Sequence, residues 1–343
     1  MNVSLLEELC QAHGTCGHEE AIREIVRREL GHRTEIRTDA MGNVICRKPG
    51  PGKRVMIAAH MDEIGFIVKY IDKQGFLRVN ALGGWDPRQM NSQRVMVHGF
   101  GGSAVGTLMH GTKPTHLLTD SERSGGQKFD DFFIDLGLSA EEVQKLVRVG
   151  DTATMHRPFE AIGQHYASKA MDDRVGVFVM IEAVKRAAAS DLDIYAVATT
   201  QEEIGLRGAT AAGWSVQPDV AIALDITLAN DIPGIGEADQ ITKLGAGTAI
   251  KIMDSSLICH PGVVAKFREL AEAHQIPHQM EILTRGGTDA GGIQRLHGGI
   301  PSFTLSIPTR YVHTVNETVH GGDVQASIDL LAAYLNLPSD QLY

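Results

Sequence analysis

Acidic and imidazole side chains recur in this 343-residue chain where an apolar stretch ends. His60-Met61-Asp62-Glu63 follows the apolar run Lys53–Ala59, Glu202-Glu203 follows Ile194–Thr199, and Asp225 follows Val220–Leu224. In an open α/β sheet, ligands gather at the carboxyl ends of the strands. Three neighbouring core strands would therefore deliver a His, a Glu pair and an Asp to one edge. Asp172-Asp173 opens an apolar helical stretch through Val175, Phe178, Val179 and Ile181, where unpaired N–H groups favour carboxylates. Clustered carboxylates repel one another and are costly to bury unpaired. A divalent cation resolves both problems. Mixed imidazole and carboxylate donors suit zinc and neighbouring first-row ions better than magnesium or calcium. The donors outnumber what one tetrahedral site uses, so a second ion is plausible. Two ions sharing a carboxylate can activate water and stabilise an attacked carbonyl. Taken singly, each piece has a plainer reading: a structural His, a solvated acidic loop, a helix cap. Their recurrence at the ends of several core-type strands favours the combined one.

The elements that must hold these residues follow from hydrophobic period. Ser4 with Glu7 reads as a capping box ahead of Leu5, Leu6 and Leu9. A second helix follows Gly17, with Ala21, Ile22, Ile25, Val26 and Leu30 on one face. Asn43–Cys46 and Lys53–Ala59 read as strands, the second as a buried central one. From about Tyr70 to Gly163 the texture changes to short strand-like pieces and Gly-containing turns: Phe76–Val79, Arg94–His98 and Ala104–Leu108, with one helical piece near Ser139–Leu146. Alternating strands and helices return after Gly163. Val263–His274 reads as a helix, Ser302–Leu305 as a strand, and Val324, Ile328, Leu331 and Leu335 as the apolar face of a closing helix. The pattern predicts an α/β domain formed by 1–69 and 163–343, interrupted by a small β domain at 70–162.

Composition bounds the setting. A net charge of −10 disfavours nonspecific nucleic-acid binding, which needs clustered Lys and Arg. No apolar run is long enough for a membrane span, and Met1-Asn2-Val3-Ser4 opens without a signal-like core. Cys10, Cys16, Cys46 and Cys259 form no C-x-x-C pair and fit a reduced, cytoplasmic setting.

These motifs resemble those of the M42 family of aminopeptidases. The resemblance rests on Ala59–Phe66, Lys169–Arg174, Gln201–Gly208 and Arg310–Thr314 around the candidate site. Leu82–Asp86 and Gly111–Leu118 resemble stretches of that family's insertion, and Gly286-Gly287-Thr288-Asp289-Ala290 resembles a late active-site loop. It implies a zinc-peptidase-like three-layer α/β/α catalytic domain with an inserted small, PDZ-like β-barrel that drives dimerisation. It also implies roles: His60 and Asp225 on one metal, Glu203 and His313 on the other, Asp172 bridging, and two divalent ions per subunit, Zn²⁺ or Co²⁺. Asp173 would shape the turn, where the family often has a cis peptide. Glu202 would be the general base, and Asp62 would orient the His60 imidazole. The expected enzyme removes N-terminal residues from peptides and assembles as a homo-oligomer, with dimers building a dodecamer.

Two enzymatic alternatives compete. A related amidohydrolase, such as a deacetylase or aminoacylase, would use nearly the same ligands. An endoglucanase-type glycoside hydrolase would need two carboxylates and generally no metal, leaving His60 and His313 without a task. A non-enzymatic binding protein would be expected to lack a general base, whereas Glu202 is present.

Overall fold

The computed structural model describes residues 1–120, 125–187 and 190–343. Strands β1 (Glu35–Thr38), β2 (Val44–Lys48) and β3 (Arg54–His60) come first. Then follow β4 (Gly65–Ile71), β5 (Leu77–Leu82), β6 (Gln93–Gly99), β7 (Gly102–His110), β8 (Phe132–Asp135) and β9 (Thr152–Met155). The remainder are β10 (Glu160–Ile162), β11 (His165–Ser168), β12 (Asp193–Thr199), β13 (Val220–Leu228), β14 (Thr248–Met253), β15 (His278–Ile282), β16 (Ser302–Arg310) and β17 (Glu317–His320).

Among the described residues, eleven strands form one sheet in the order β1-β2-β12-β3-β13-β16-β17-β11-β10, with β14 and β15 branching from β16. At its centre β12, β3, β13 and β16 run parallel. The flanking pairs β1–β2, β2–β12, β16–β17 and β17–β11 are antiparallel, so the sheet is mixed. Side chains alternate across it, as a period of two requires. From β3, Val55, Ile57 and Ala59 join one apolar cluster with helices Val3–Gln11, Glu20–Leu30, Met171–Arg186, Pro261–Ala273 and Gly321–Leu335. Met56 and Ala58 join a second cluster on the other face, with Ala209, Ala212 and Val216 of helix Arg207–Val216. Helices thus cover both faces, giving the expected three layers. Burial on both sides also explains why these central strands read as unbroken apolar runs.

The six strands from Gly65 to Met155 close into a barrel in the order β4-β5-β8-β7-β6-β9. Phe66, Val68, Leu77, Val79, Val95, Val97, Leu108 and Ile134 are buried within it, apart from the main core. Helix Ala140–Leu146 has the full capping box, Ser139 with Glu142. The barrel starts two residues after Glu63, so its first strand leaves directly from the edge where the candidate residues collect.

Two local expectations are corrected. The first helix begins at Val3 and is capped by Asn2, whose Oδ1 accepts the Leu5 N–H at 3.3 Å. Ser4 lies inside the first turn and cannot serve as the cap. Asp225 does not follow a strand but sits within β13, which continues to Leu228; the pairing of Asp225 through Leu228 with Ser306 through Thr309 keeps it extended.

Candidate metal centre

Register brings the donors level. In the parallel centre Thr199 pairs with His60, and Ala223 pairs with Ala58. Asp225, two residues beyond Ala223, therefore stands beside His60, and Glu202 and Glu203 follow three and four residues after Thr199. The opening turn of helix Met171–Arg186 comes in from one face, with non-helical backbone at Asp172 and Asp173 and a cis peptide between them. His313 arrives on the loop between β16 and β17.

Two groups of donor atoms result, each with all atoms within 4.8 Å of one another: His60, Asp172 and Asp225, and Asp172, Glu203 and His313. Asp172 belongs to both. Its Oδ1 lies 3.0 Å from His60 Nε2, and its Oδ2 lies 3.3 Å from His313 Nε2. His60 Nε2 is 4.0 Å from Asp225 Oδ1, and His313 Nε2 is 3.6 Å from Glu203 Oε1. All five expected ligands are therefore brought together.

Each donor is held by a neighbour. The His60 ring uses Nδ1 toward the Asp62 carbonyl at 2.9 Å, leaving Nε2 toward the cluster. The Asp62 carboxylate is 3.7 Å from Nδ1 at its closest ion-pair contact, and it serves chiefly elsewhere. Its Oδ1 accepts the Glu202 N–H at 3.0 Å, and its Oδ2 accepts the Glu203 N–H at 3.1 Å and the Cys16 thiol at 3.1 Å. Asp173 accepts the His60 N–H at 3.2 Å through Oδ2 and the Gly176 N–H at 3.1 Å through Oδ1. It thereby caps the regular part of its helix and ties that helix to β3. An added Cβ at Gly176 would lie 2.3 Å from Asp173 Oδ1, so the carboxylate's position requires glycine there.

Supporting residues also emerge that spacing alone did not reveal. Glu317 accepts the Asp172 N–H at 3.0 Å and the His313 N–H at 2.7 Å, joining the two backbones that carry ligands. The barrel reaches the centre through Gly84, whose carbonyl accepts from His313 Nδ1 at 2.8 Å. Arg174, fully buried, donates to the carbonyls of Leu9, Ala12, Gly14 and Met61. Lys169 donates to both oxygens of Glu63 at 3.0 and 2.9 Å. Asp289, the first residue of the short helix Asp289–Ile293, accepts the Thr199 hydroxyl at 2.5 Å. A visible clue existed for Glu317, four residues after His313, but an isolated acid after a His is a weak signal.

Around the cluster the backbone departs from ordinary geometry. Ala170, Gln201, Leu206, Tyr311 and His313 all have φ between +55° and +60°, a region that costs L residues energy and recurs at functional sites.

Protonation follows from crowding. Burial and the Asp172 charge push Glu203 up to about 7. Burial, with Asp225 and Glu203 adding to it, holds Glu202 well above the usual carboxylate range, and burial with Asp172 does the same for Asp225. Asp172 moves the other way: burial raises it, but hydrogen bonds from His313 and His60 outweigh that and hold it low. Burial lowers His313, yet Asp172 and Glu203 carry it to about 10. These are the shifts expected where anionic donors converge without enough positive charge. Glu203 Oε1 is buried without a hydrogen-bond partner among the described residues. An acceptor-only atom left so, facing an imidazole and a shared carboxylate, fits a cation. The cluster opens into a cavity of about 490 Å³ bounded by Leu206, Ile226–Leu228, Leu283, Arg285–Thr288 and Val312.

A mixed sheet with carboxylates and imidazoles at its parallel strand ends, and a closed barrel hung from that edge, is the arrangement of a peptidase class. Residues 42–330 match the profile of Peptidase M42, described as M42 glutamyl aminopeptidase. The chain is 35% identical to the lysyl aminopeptidase of Pyrococcus furiosus, over 96% of each chain. Its structure is similar to that of an aminopeptidase from the archaeon Desulfurococcus kamchatkensis, with a TM-score of 0.94 at 37% identity, covering 99% of this chain and 96% of the other. It is also similar to the Pyrococcus horikoshii TET1 peptidase, described as assembling into a tetrahedron or a large octahedral shell: TM-score 0.87, 31% identity, covering 96% and 98%. The chain belongs to the M42 peptidase family. It is an aminopeptidase, a hydrolase acting on peptides.

Proposed function

We propose that this aminopeptidase works with two divalent ions, Zn²⁺ or Co²⁺, held by His60 and Asp225 on one side, Glu203 and His313 on the other, and Asp172 between them. The observation that carries the reading is the pair of donor groups meeting at Asp172, with Glu203 Oε1 left without a partner. Bound ions would supply Lewis acidity, lowering the pKa of water and polarising the scissile carbonyl. Glu202 takes a proton from the attacking water and returns it to the leaving amine. It borders the cavity beside the cluster but belongs to neither donor group, so its carboxylate is free for proton transfer. Asp62 fixes both Glu N–H groups and so holds base and ligand in register. Asp173 is a positioning residue.

Closure of the barrel on itself supports an inserted β domain, but with limits other than 70–162: β4 begins at Gly65, and β10 (Glu160–Ile162) pairs into the main sheet, so the barrel spans Gly65–Met155. A role for that barrel in dimers building a dodecamer is supported by Tyr70, Phe100, Val105 and Val149 on its surface, each at least 46% exposed. No helix among the described residues is long and apolar enough to cross a membrane, and all four cysteines are buried and free; a cytoplasmic setting accommodates both.

The test is hydrolysis of aminoacyl p-nitroanilides by enzyme stripped of metal and reloaded with Zn²⁺, Co²⁺ or Mn²⁺. Activity should vanish on stripping and return with about two ions per chain. Full activity after stripping would refute the metal reading, and hydrolysis of N-acetyl amino acids in place of aminoacyl substrates would favour the related amidohydrolase.

A further inference from the structure

Strand β14 carries a buried cation where an apolar side chain would be expected. Lys251, Glu281 and Asp254 are each at most 2% exposed. Lys251 stands opposite Glu281 in the β14–β15 register, its Nζ donates to Glu281 Oε1, and Asp254 Oδ2 lies 3.8 Å away. Two carboxylates around one ammonium leave the knot one negative charge in excess. Glu281 Oε2 is buried without a hydrogen-bond partner among the described residues. A buried ion pair gives little stability over a well-packed apolar pair of the same volume, so packing alone is a poor reason for this one. Its connections give a better reason. Thr227, on the wall of the substrate cavity, donates to Glu281 Oε1 at 2.6 Å. Thr288, on the same wall, donates to Asp254 Oδ2 at 3.5 Å and shares a 2.9 Å hydrogen bond with Thr304 Oγ1. Leu283, a third wall residue, follows Glu281 by two positions and donates its N–H to the Met253 carbonyl at 3.0 Å, next to Asp254. The knot thus joins β13, the end of β14, β15 and the loop through Thr288. None of its three ions belongs to a donor group of the metal centre, and none lines the cavity.

Without the ammonium, two carboxylates in a dry interior would repel each other and draw in water. The threonines bonded to them would then lose their fixed positions. We propose that Lys251 is a positioning residue for the aminopeptidase reaction. Its charge holds Glu281 and Asp254 together, and through Thr227 and Thr288 it fixes the wall that receives the side chain of the substrate's first residue. The effect falls on binding of that side chain rather than on bond cleavage, because the knot stands apart from the metal ligands and from Glu202. This rests on the aminopeptidase activity and adds to it a residue that touches neither substrate nor metal.

The test measures kcat, KM and metal content for wild type and variants of the metal-loaded enzyme on Ala-, Leu- and Phe-p-nitroanilide. Lys251→Met should raise KM for the Leu and Phe substrates about fivefold or more. KM for the Ala substrate and all kcat values should stay within about twofold of wild type, with metal content unchanged. Lys251→Met/Glu281→Gln should recover most of the loss, because the amide still accepts the Thr227 hydroxyl and the excess charge returns to one. Lys251→Met/Glu281→Leu removes the ion pair and that acceptor together, so it should show the same size-dependent rise in KM. If Lys251→Met does not fold, these two doubles carry the test, since neither leaves more uncompensated charge than wild type. Unchanged KM in every folded variant, or equal losses on all three substrates, would overturn the proposal. A variant that loses its ions along with its activity would also overturn it, and would leave the ligand assignment standing.

Discussion

The two donor groups that share Asp172 are built in opposite ways. His60 and Asp225 stand on adjacent central strands and are 1% and 6% exposed. Their neighbours are main-chain ladders, so their position is set by sheet register. Glu203 and His313 stand on loops, and the His313 side chain is 35% exposed. That half is fixed by single contacts: Asp62 on the Glu203 N–H, Glu317 on the His313 N–H, and Gly84 of the barrel on the His313 ring. One half inherits its precision from the fold, and the other must be assembled residue by residue. The strand-borne half should therefore bind metal more tightly, and the loop-borne half should respond to changes well outside it.

The most severe way to break this contrast is to remove what the halves share. Asp172→Ala should abolish both sites, cutting activity about a thousandfold or more and taking bound metal toward zero per chain by elemental analysis. A variant that kept one tight ion would show that Asp172 does not bridge. Next in size is Glu202→Gln. It should retain both ions, since Glu202 lies in neither donor group, yet lose about 10²- to 10⁴-fold in kcat, the usual contribution of a general base. Wild-type turnover in that variant would remove Glu202 from its role.

Glu317→Ala sharpens the comparison directly. It removes the acceptor for two N–H groups, those of Asp172 and His313, at a cost of about 1–3 kcal/mol for each group left unpaired. Because His313 depends on that contact and His60 does not, metal titration should resolve one ion weakened about 10- to 100-fold and the other much less. Equal weakening of both would mean that the loop-borne half is no more fragile than the strand-borne one.

The same contrast marks what could be read from sequence. Strand-borne donors were legible because a buried parallel strand has a simple signature, an apolar run, and its carboxyl end is where polar groups emerge. Hence His60 and the Glu pair were placed by period alone. Asp225 was found for nearly the right reason, though its strand continues past it because pairing with β16 outlasts the apolar run. His313 has no such signature. Its loop follows β16, its φ is positive, and it became a candidate only through resemblance. Glu317, Arg174 and Gly84 were not legible as supports, because each acts through tertiary contacts that no local period encodes. The barrel was visible as a change in texture, while its closure was not, since strand order depends on non-local pairing. The cap at Asn2 was missed because Ser4 and Glu7 also satisfy the capping pattern, and only the start of the helix decides between them.

The smallest expected effect lies at the root of the His313 loop. Arg310 closes β16 three residues before His313, and it holds Asp231 through Nε and Nη2 at 2.8 and 2.6 Å. Partial burial tends to raise the Asp231 carboxyl, but the Arg310 hydrogen bonds and charge outweigh it and hold it below its ordinary value. A folded-state pKa below the unfolded one contributes stability that is fully present above the unfolded value, near 3.9, and is lost as pH falls through the folded value. Asp231→Asn should therefore lower the melting temperature at pH 7 by a few degrees, and the difference from wild type should shrink as pH falls below about 4. Arg310 leads directly into the His313 loop, whereas Asp225 is held within β13 by its pairing with β16, so the weaker of the two ions should be lost first as the variant is warmed, with the tighter ion retained until global unfolding. A stability difference independent of pH would assign the pair a packing role, and simultaneous loss of both ions would mean that the two halves respond as one unit.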